Sequence, residues 1–340
     1  MWACPVCAAK VAAERADDLG SVLGWAVEQG HTVGFLTLTL RHWTGQRLAD
    51  LWDALSAAWT SIVQGEAWSG EADHAYRKRF DKWETDRANG WKGSRPRPRP
   101  VRRQGLAETY GILGWVRAVE APHGPNGWHP HVHVPLIFQG PASDAWVELV
   151  GEEMFRRWRR TLARLGYEAV RDHGGLHIQV SHDADELAGY LAKHLALEAT
   201  HGHVKTARNG SELRAPFQIL GDLTKHGDAA DLSVWREWEQ ASKGRRQLTW
   251  SKGIRGLAGL IDQDRSDEEI AEDDLGTDDL LILDRETWQA IASVQIDLLE
   301  ATAKRGVAGA IVWLDQLGLT YVITSAGRAT LGRRPADAWP

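Results

Sequence analysis

The stretch GWHPHVHVPLIF, residues 127–138, places three histidines at two-residue intervals in an otherwise apolar run. Its apolar and β-branched residues, together with the turn-forming sequence PHGPNG that leads into it, predict a β-strand. Successive side chains of a strand point to opposite faces of the sheet, so His129, His131 and His133 should project to the same side. We therefore expect a polar site on one face of this strand, completed by a group from a neighbouring element.

The segment before the turn, YGILGWVRAVEA (110–121), also has the composition of a strand. The two segments predict a β-hairpin in which Glu120 lies within one cross-strand step of His131. Two imidazoles and a carboxylate form a three-ligand metal site that leaves coordination positions for water or a substrate oxygen. We expect Glu120, His131 and His133 to bind Mn²⁺ or Mg²⁺ as a Lewis acid, with Zn²⁺ as a further candidate. His129 would then lie outside the ligand set.

Strand and helix patterns alternate along the rest of the first 260 residues. HTVGFLTLTLRHW (31–43) and GLHIQVSH (175–182) predict strands, whereas residues 47–63 and 143–165 have the periodicity of amphipathic helices. The tight turn inside the central hairpin requires antiparallel pairing. The sequence therefore predicts an α+β fold, with a central, mostly antiparallel sheet flanked by helices and a small, mainly helical C-terminal module.

A further helix is predicted for DELAGYLAKHLALE (185–198), where leucines form an apolar stripe. Tyr190 and Lys193 fall on the opposite side, three residues apart and hence neighbours on the helix surface. A tyrosine in this position can act as a nucleophile, and the adjacent ammonium can stabilise the phenolate or position a phosphate. Glu186 lies four residues before Tyr190 on the same side. Because a tyrosine on a helix more often packs than reacts, this hypothesis depends on the histidine strand.

Taken in order, FLTLTLRH, GWVRAVEAPHGPNGWHPHVHVPLIF and ELAGYLAKHL resemble the three motifs of the HUH endonucleases. Within that superfamily they resemble the rolling-circle replication initiators (Rep proteins) of actinobacterial and other Gram-positive plasmids. The resemblance covers roughly residues 1–260 and implies the HUH/Rep nuclease fold. It also implies that His131 and His133 are the HUH metal ligands, with Glu120 at the position of the third ligand.

The resemblance further implies that Tyr190 is the nucleophile and that Lys193 is the lysine found three residues later. Glu186 matches a glutamate that, in some of these initiators, activates water or closes the cycle at termination. The implied reaction is site-specific nicking and rejoining of single-stranded DNA at a plasmid origin, through a 5′-phosphotyrosine link and a free 3′-hydroxyl. The implied partners are single-stranded and origin plasmid DNA, with a host helicase and polymerase. The second transfer step is left to Glu186 with water or to another protomer of an oligomer.

Charge is distributed unevenly along the chain, whose net charge is −6. Residues 77–103, the basic insertion, contain eleven Lys or Arg and three acidic residues, whereas residues 262–340 contain seven Lys or Arg and sixteen acidic residues. The RPRPRP stretch (95–100) predicts an extended loop. The insertion is either a solvated loop or a contact surface for DNA phosphates, in which Trp83 and Trp91 could stack on unpaired bases. The candidate DNA-binding residues are Lys92, Arg95, Arg97, Arg99, Arg102 and Arg103.

Two cysteines are too few for a disulfide framework, and neither a secretory signal nor a membrane-spanning apolar run is recognisable, so we expect a cytoplasmic protein without a membrane partner. Cys4 and Cys7 form a single CxxC pair, which binds Zn²⁺ only if further ligands such as His31 complete the site.

The organisation that we predict has four parts. The acidity of the last part favours a protein–protein role over contact with DNA. The parts are an N-terminal helical segment with the CxxC pair (1–30), the HUH endonuclease domain with its basic insertion (31–260), an acidic linker (261–280) and a small accessory domain (281–340).

Several alternatives stay open at the level of the sequence. A conjugative relaxase or a single-tyrosine transposase uses the same chemistry, and a catalytically inactive DNA-binding regulator could share the scaffold. A metal-dependent oxygenase would explain the two histidines and the carboxylate, but it leaves Tyr190, Lys193 and the basic insertion without a role. In the simplest alternative, the histidines are exposed polar positions of an amphipathic strand.

Overall fold

The computed structural model of the chain describes residues 4–93, 95, 97–181, 205–206, 212–260, 265–272, 281–291, 294–325 and 328–332. The chain divides into two compact units, Met1–Glu272 and Asp273–Pro340. Within the described ranges, no helix combines the length and the apolar character that a bilayer span requires. The functional domain boundaries at residues 30, 260 and 280 stay a prediction.

The first unit is built on a five-stranded sheet, and its described neighbouring strands pair antiparallel. The predicted α+β class with a central antiparallel sheet is therefore confirmed. The order across the sheet is β6-β1-β5-β2-β9. Its strands are β1 (Thr32–Thr39), β2 (Ile112–Glu120), β5 (His131–Phe138), β6 (Leu176–Ser181) and β9 (Leu248–Trp250), and two short ribbons pair β3 (His123–Gly124) with β4 (Gly127–Trp128) and β7 (Lys205–Thr206) with β8 (Glu212–Leu213).

Helices flank this sheet, and the two predicted amphipathic helices are present as α2 and α6. The helices of the first unit, in its described part, are α1 (Pro5–Glu28), α2 (Leu48–Val63), α3 (Glu66–Ser69), α4 (Asp73–Ala88), α5 (Leu106–Tyr110), α6 (Asp144–Arg164), α7 (Pro216–His226), α8 (Ala229–Ser242), α9 (Ile254–Leu257) and α10 (Asp267–Glu272), with a 3₁₀ turn at Arg171–His173.

The register of the central strands determines which residues share a face. Glu120 of β2 lies directly opposite His131 of β5, and His131 in turn lies opposite Thr39 of β1. Two residues further along β5, His133 lies opposite Thr37. Directly opposed residues of antiparallel strands point to the same side of the sheet. These polar side chains therefore all project from one face, which we call the histidine face.

The other face carries the main hydrophobic core. Val132, Val134 and Leu136 alternate with the histidine-face residues of β5 and are fully buried. Helix α2 packs on this face, where the Trp59 ring meets the edge of Trp115 of β2 at 5.0 Å between ring centroids. Helix α6 packs beside it, with its buried stripe against β1 and β6. The burial of the alternate residues holds the strands in this register.

Two elements depart from the expected pattern. Strand β9 lies in a segment with a helix-then-loop pattern, and its three residues are too few to give a periodic signal. Helix α10 lies inside the segment predicted as an acidic linker, of which residues 261–264 and 273–280 are outside the described residues. It packs on α1, where Arg15 Nη2 is 3.1 Å from Asp267 Oδ1 and both side chains are buried.

The second unit combines two helices with a three-stranded antiparallel sheet of order β10-β11-β12. Asp284 caps the first helix by accepting a hydrogen bond from the Thr287 amide at 2.7 Å. Helical residues outnumber strand residues in the described part, as predicted for a mainly helical C-terminal module. The elements are β10 (Leu281–Ile282), α11 (Arg285–Ala290), α12 (Gln295–Gln316), β11 (Tyr321–Ser325) and β12 (Arg328–Gly332).

The packing of α6 on β1 depends on a glycine. A methyl group added to Gly34 would lie 2.8 Å from Val147 Cγ1 and 3.0 Å from Phe138 Cε2, whereas one added to Gly20 in α1 meets nothing within 4 Å. We expect Gly34→Ala to lower the free energy of unfolding by about 1–3 kcal/mol. Gly20→Ala should raise it by about 0.5–1 kcal/mol. Urea unfolding measures both, and a neutral Gly34→Ala would contradict the close approach.

Candidate functional site

Glu120, His131 and His133 meet at one end of the sheet, on the histidine face. His131 Nε2 lies 3.1 Å from Glu120 Oε2 and 3.1 Å from His133 Nε2, and His133 Nε2 lies 3.5 Å from the same carboxylate oxygen. All three residues are buried, with 2%, 8% and 6% of their surface exposed, respectively. In the described part of the chain, this is the one group of three potential metal-ligating side chains with ligand atoms within 4.8 Å of one another.

Neighbouring groups fix the orientation of both imidazoles. His131 Nδ1 lies 3.0 Å from the main-chain carbonyl oxygen of His129, and His133 Nδ1 lies 2.9 Å from Thr37 Oγ1. The ring of Phe35 stacks on His133, with centroids 5.4 Å apart and planes inclined by 11°. Both Nδ1 atoms are thus held by the protein, and both Nε2 atoms are turned towards Glu120. His129 supports its neighbour through its main chain.

This orientation determines what the group can bind. A carbonyl oxygen only accepts hydrogen bonds, so Nδ1 of His131 carries the hydrogen and Nε2 of the neutral ring presents a lone pair. That lone pair faces the carboxylate of Glu120 and Nε2 of His133, and such an arrangement is repulsive unless a proton or a cation lies between the ligand atoms.

Two imidazoles and one carboxylate suit a divalent metal ion. Metal–ligand bonds of about 2.1 Å at right angles would separate two ligand atoms by about 3.0 Å. The Nε2 atoms of His131 and His133 are 3.1 Å apart, which is close to that separation. The three side chains therefore form a candidate site for a divalent metal ion, with further coordination positions for other ligands.

The predicted nucleophile and its neighbours are not part of the described structure. Strand β6 ends at Ser181, and Glu186, Tyr190 and Lys193 lie outside the described residues. The roles of these three residues stay predictions.

A second pair of imidazoles continues the row along the histidine face. His42 Nε2 lies 2.5 Å from His129 Nδ1, and the His129 ring centroid is 5.4 Å from that of His131. Burial lowers the pKa of His42, which favours its neutral form. Sequence reasoning missed the contacts of Thr37 and His42. The alternating threonines of FLTLTL do place Thr37 and Thr39 on one face of their strand. That this strand pairs with the histidine strand, with Thr39 opposite His131, is known only from the fold.

The basic insertion is anchored by ion pairs at its base. Arg79 binds the buried carboxylate of Glu71 through two hydrogen bonds of 2.6 Å and lowers its pKa to about 2. Arg103 lies 3.6 Å from the same carboxylate. Arg102 donates hydrogen bonds of 2.7 Å to both carboxylate oxygens of Glu108. Three of the six candidate DNA-binding residues, Arg97, Arg102 and Arg103, therefore have carboxylate partners within the protein.

Towards its tip, the insertion is held by contacts between arginines and aromatic rings. Arg97 lies 4.4 Å over the ring of Trp91 and also contacts the Asp86 carboxylate, and Arg99 lies 5.1 Å over Phe80. The RPRPRP stretch has no helix or strand at its described positions, as predicted. Helix α4, which precedes it, was not predicted and buries none of its residues. Lys92 and Arg95 are exposed and make no ion pair with any described residue.

The CxxC pair lies at the opposite end of α1 from His31. Cys4 precedes α1 and is exposed, and the hydrogen bond with Cys4 raises the pKa of Cys7. Since α1 has 24 residues and such a helix is about 36 Å long, His31 cannot complete a zinc site with these cysteines. His31 instead accepts a hydrogen bond from the Gly140 amide at 3.0 Å. Among the described residues, no third ligand accompanies the pair.

Comparison with known protein sequences finds two relatives from Streptomyces. No protein-family model matches it. A protein named Protein rep, from Streptomyces lividans, is 31% identical over 363 aligned residues, which cover 91% of this chain and 75% of that protein. A neomycin resistance protein from Streptomyces cyanogenus is 28% identical over 186 aligned residues, which cover 48% of this chain and 39% of that protein.

Among solved structures, the N-terminal nuclease domain of the non-structural protein 1 of minute virus of mice is similar at 14% identity and a TM-score of 0.16. That match covers 61% of this chain and 83% of the viral chain.

The match to the Streptomyces Rep protein, at 31% identity, extends over most of both chains, and this chain brings Glu120, His131 and His133 together as a candidate metal site. The chain therefore belongs to the rolling-circle Rep proteins of the HUH endonuclease superfamily. As a member, it is a replication initiator nuclease.

The hydrogen bond between Thr37 and His133 gives a direct test of the metal site. Thr37→Val removes the oxygen that holds His133 Nδ1, and we expect it to weaken Mn²⁺ binding by about 10–100-fold. Thr39→Val is the matched control, because Thr39 lies on the same face and makes no described hydrogen bond to an imidazole. Isothermal titration calorimetry measures both affinities. Equal affinities for the two variants would contradict a positioning role for Thr37.

Proposed function

We propose that the chain nicks and rejoins single-stranded DNA at the replication origin of a plasmid, through a covalent 5′-phosphotyrosine intermediate. The observation that carries this proposal is the convergence of Glu120, His131 and His133, in a chain that belongs to the Rep proteins. The same chain contains a single tyrosine, Tyr190, in the motif that the resemblance assigns to the nucleophile.

Glu120, His131 and His133 would hold Mn²⁺ or Mg²⁺. The distances of 3.1, 3.1 and 3.5 Å between the ligand atoms are compatible with a bound divalent ion, and Zn²⁺ is a further candidate. When bound, the ion supplies Lewis-acid polarisation of the scissile phosphodiester. The protein's own contribution is to hold the two imidazoles with their Nε2 atoms turned towards Glu120, through the His129 carbonyl and Thr37.

Tyr190 would attack the scissile phosphorus with its phenolic oxygen. The new bond joins that oxygen to phosphorus, the bond to the 3′-oxygen breaks, and the 3′-oxygen takes up a proton to become the hydroxyl that a host polymerase extends. Lys193 would stabilise the phenolate or position the phosphate. For termination, Glu186 would activate water, or a second protomer would supply another tyrosine. A host helicase would separate the strands ahead of the polymerase.

The basic insertion would contact the phosphates of the origin DNA. Arg102 and Arg103 serve to anchor the insertion through their carboxylate partners. Lys92 and Arg95, exposed and without an ion pair to described residues, would carry most of the contact. Arg97 and Arg99 would combine stacking on aromatic rings with contact to phosphates.

The nicking reaction is tested by trapping the covalent adduct. The full-length chain is incubated with Mn²⁺ and single-stranded oligonucleotides from the origin of its plasmid, and adducts are resolved on a denaturing gel. We expect an adduct that disappears in Tyr190→Phe, in His131→Ala and with a chelator, since nucleophile and metal are then removed. Tyr167→Phe is the matched control and should retain it. Origin binding without any adduct would instead support a catalytically inactive regulator.

The role of the insertion is tested by the salt dependence of DNA affinity. Each phosphate contact removed should lower the slope of log Kd against log salt concentration by about 0.7 for single strands. We expect this change for Lys92→Ala and Arg95→Ala. Arg102→Ala should leave the slope unchanged and lower the stability of the fold, because Glu108 loses its partner. An unchanged slope in the first two variants, measured by fluorescence anisotropy, would exclude them as phosphate contacts.

A further inference from the structure

A cavity of about 340 Å³ opens on the histidine face, beside the metal-ligating group. It lies between the end of β1, His129 and the 3₁₀ turn that precedes β6. The residues of its wall that matter for the argument are Thr39, Arg41, His42, His129, His173 and Gly175. Three of the eight residues that line the cavity are histidines, and none of the eight belongs to the group Glu120, His131 and His133.

The cavity wall continues directly into the metal-ligating group. Thr39 lies opposite His131 in the sheet, and the ring centroids of His129 and His131 are 5.4 Å apart. Successive nucleotides of a DNA strand are spaced by at least about 3.4 Å. A phosphate positioned at His131 and His133 would therefore bring a neighbouring nucleotide to the mouth of this cavity.

The chemistry of the wall suits a base better than a phosphate. The rings of His42 and His129 meet edge to face, with centroids 4.7 Å apart and planes at 74°, so they offer both a stacking surface and ring nitrogens. The Arg41 guanidinium is 3.0 Å from the Glu168 carboxylate, which balances its charge. The neutral form of His42 likewise supplies one donor and one acceptor instead of a fixed charge.

The volume limits the size of the ligand. Pockets for small molecules and cofactors have volumes of about 300–1,000 Å³, and this cavity lies at the lower end of that range. It is suited to one unstacked base with part of its sugar, and too small for two stacked nucleotides. Histidine and arginine side chains stack on unpaired bases in other proteins that bind single strands.

We propose that this cavity is a subsite for one unpaired nucleobase of single-stranded DNA, next to the scissile phosphate, and that His42 and His173 are specificity-determining residues of the nuclease. The inference rests on the proposed nicking function for its position along the DNA. Binding of the base itself requires neither metal nor cleavage. A base held here would fix the register of the strand over the metal-ligating group.

The test measures binding without cleavage. The full-length chain is titrated, in the presence of a chelator, into fluorescent oligonucleotides that span the origin sequence and carry one abasic site at successive positions. For the unmodified chain we expect a loss of affinity on the order of tenfold at one position. The variants His42→Ala and His173→Ala should bind the intact oligonucleotide more weakly than the unmodified chain. The abasic site at that position should then lower their affinity only a little further. His226→Ala, which changes an exposed histidine of α7, is the matched control.

The outcomes separate this inference from the proposed function. If the abasic site lowers the affinity of both variants as much as that of the unmodified chain, the subsite proposal is overturned. It is also overturned if the unmodified chain loses affinity at no particular position. Loss of Mn²⁺ affinity in His42→Ala and His173→Ala would also overturn it, because these histidines would then act on the metal-ligating group. If no covalent adduct forms but the position-specific penalty is present and depends on the two histidines, the nicking function fails and the base subsite stands.

Discussion

The pairing of Glu120 with His131 across the central hairpin is the constraint on which the site depends. A shift of one residue in the pairing of β5 with β2 or with β1 would turn the side chains of the shifted strand to the opposite face of the sheet. For β5, such a shift would bring His131 and His133 into the core and expose Val132 and Val134. The hydrophobic effect that buries one set of alternate side chains therefore also assembles the ligand group. The same strand register therefore determines both the hydrophobic core on one side of the sheet and the site on the other.

Burial makes this group informative about its ligand. A carboxylate with 2% exposure loses nearly all of its hydration, a loss that must be offset by a positive partner. Two imidazole nitrogens lie 3.1 and 3.5 Å from one of its oxygens, and Nε2 of His131 presents a lone pair when the ring is neutral. Imidazole and carboxylate groups bind a metal ion in their deprotonated forms, so the affinity of such a group for a metal ion depends on pH.

Local signals in the sequence predicted what lies close along the chain. Glu120 and His131 are separated by one turn, so strand alternation and turn chemistry together predicted the hairpin and the convergence of Glu120 with His131 and His133. Contacts from distant segments were not predictable, because packing decides the register of β1 against β5. No periodic pattern in the sequence indicates that register. Thr37 and His42 entered the site in this way. Helix α4 was missed for another reason: none of its residues is buried, so it has no apolar stripe.

The basic insertion shows why a count of charges overstates a binding surface. Its sequence has a large excess of Lys and Arg, yet Arg79, Arg102 and Arg103 bind carboxylates at its base and Arg97 contacts Asp86. A guanidinium in such a pair contributes little further attraction to a phosphate, since its field is largely cancelled at a distance. If the insertion contacts DNA as proposed, the electrostatic part of binding would come mainly from Lys92, Arg95 and Arg99. Because contacts to phosphates carry no sequence information, recognition of a particular origin must arise where bases are touched. The neutral, histidine-rich wall beside the metal-ligating group has the chemistry for that task.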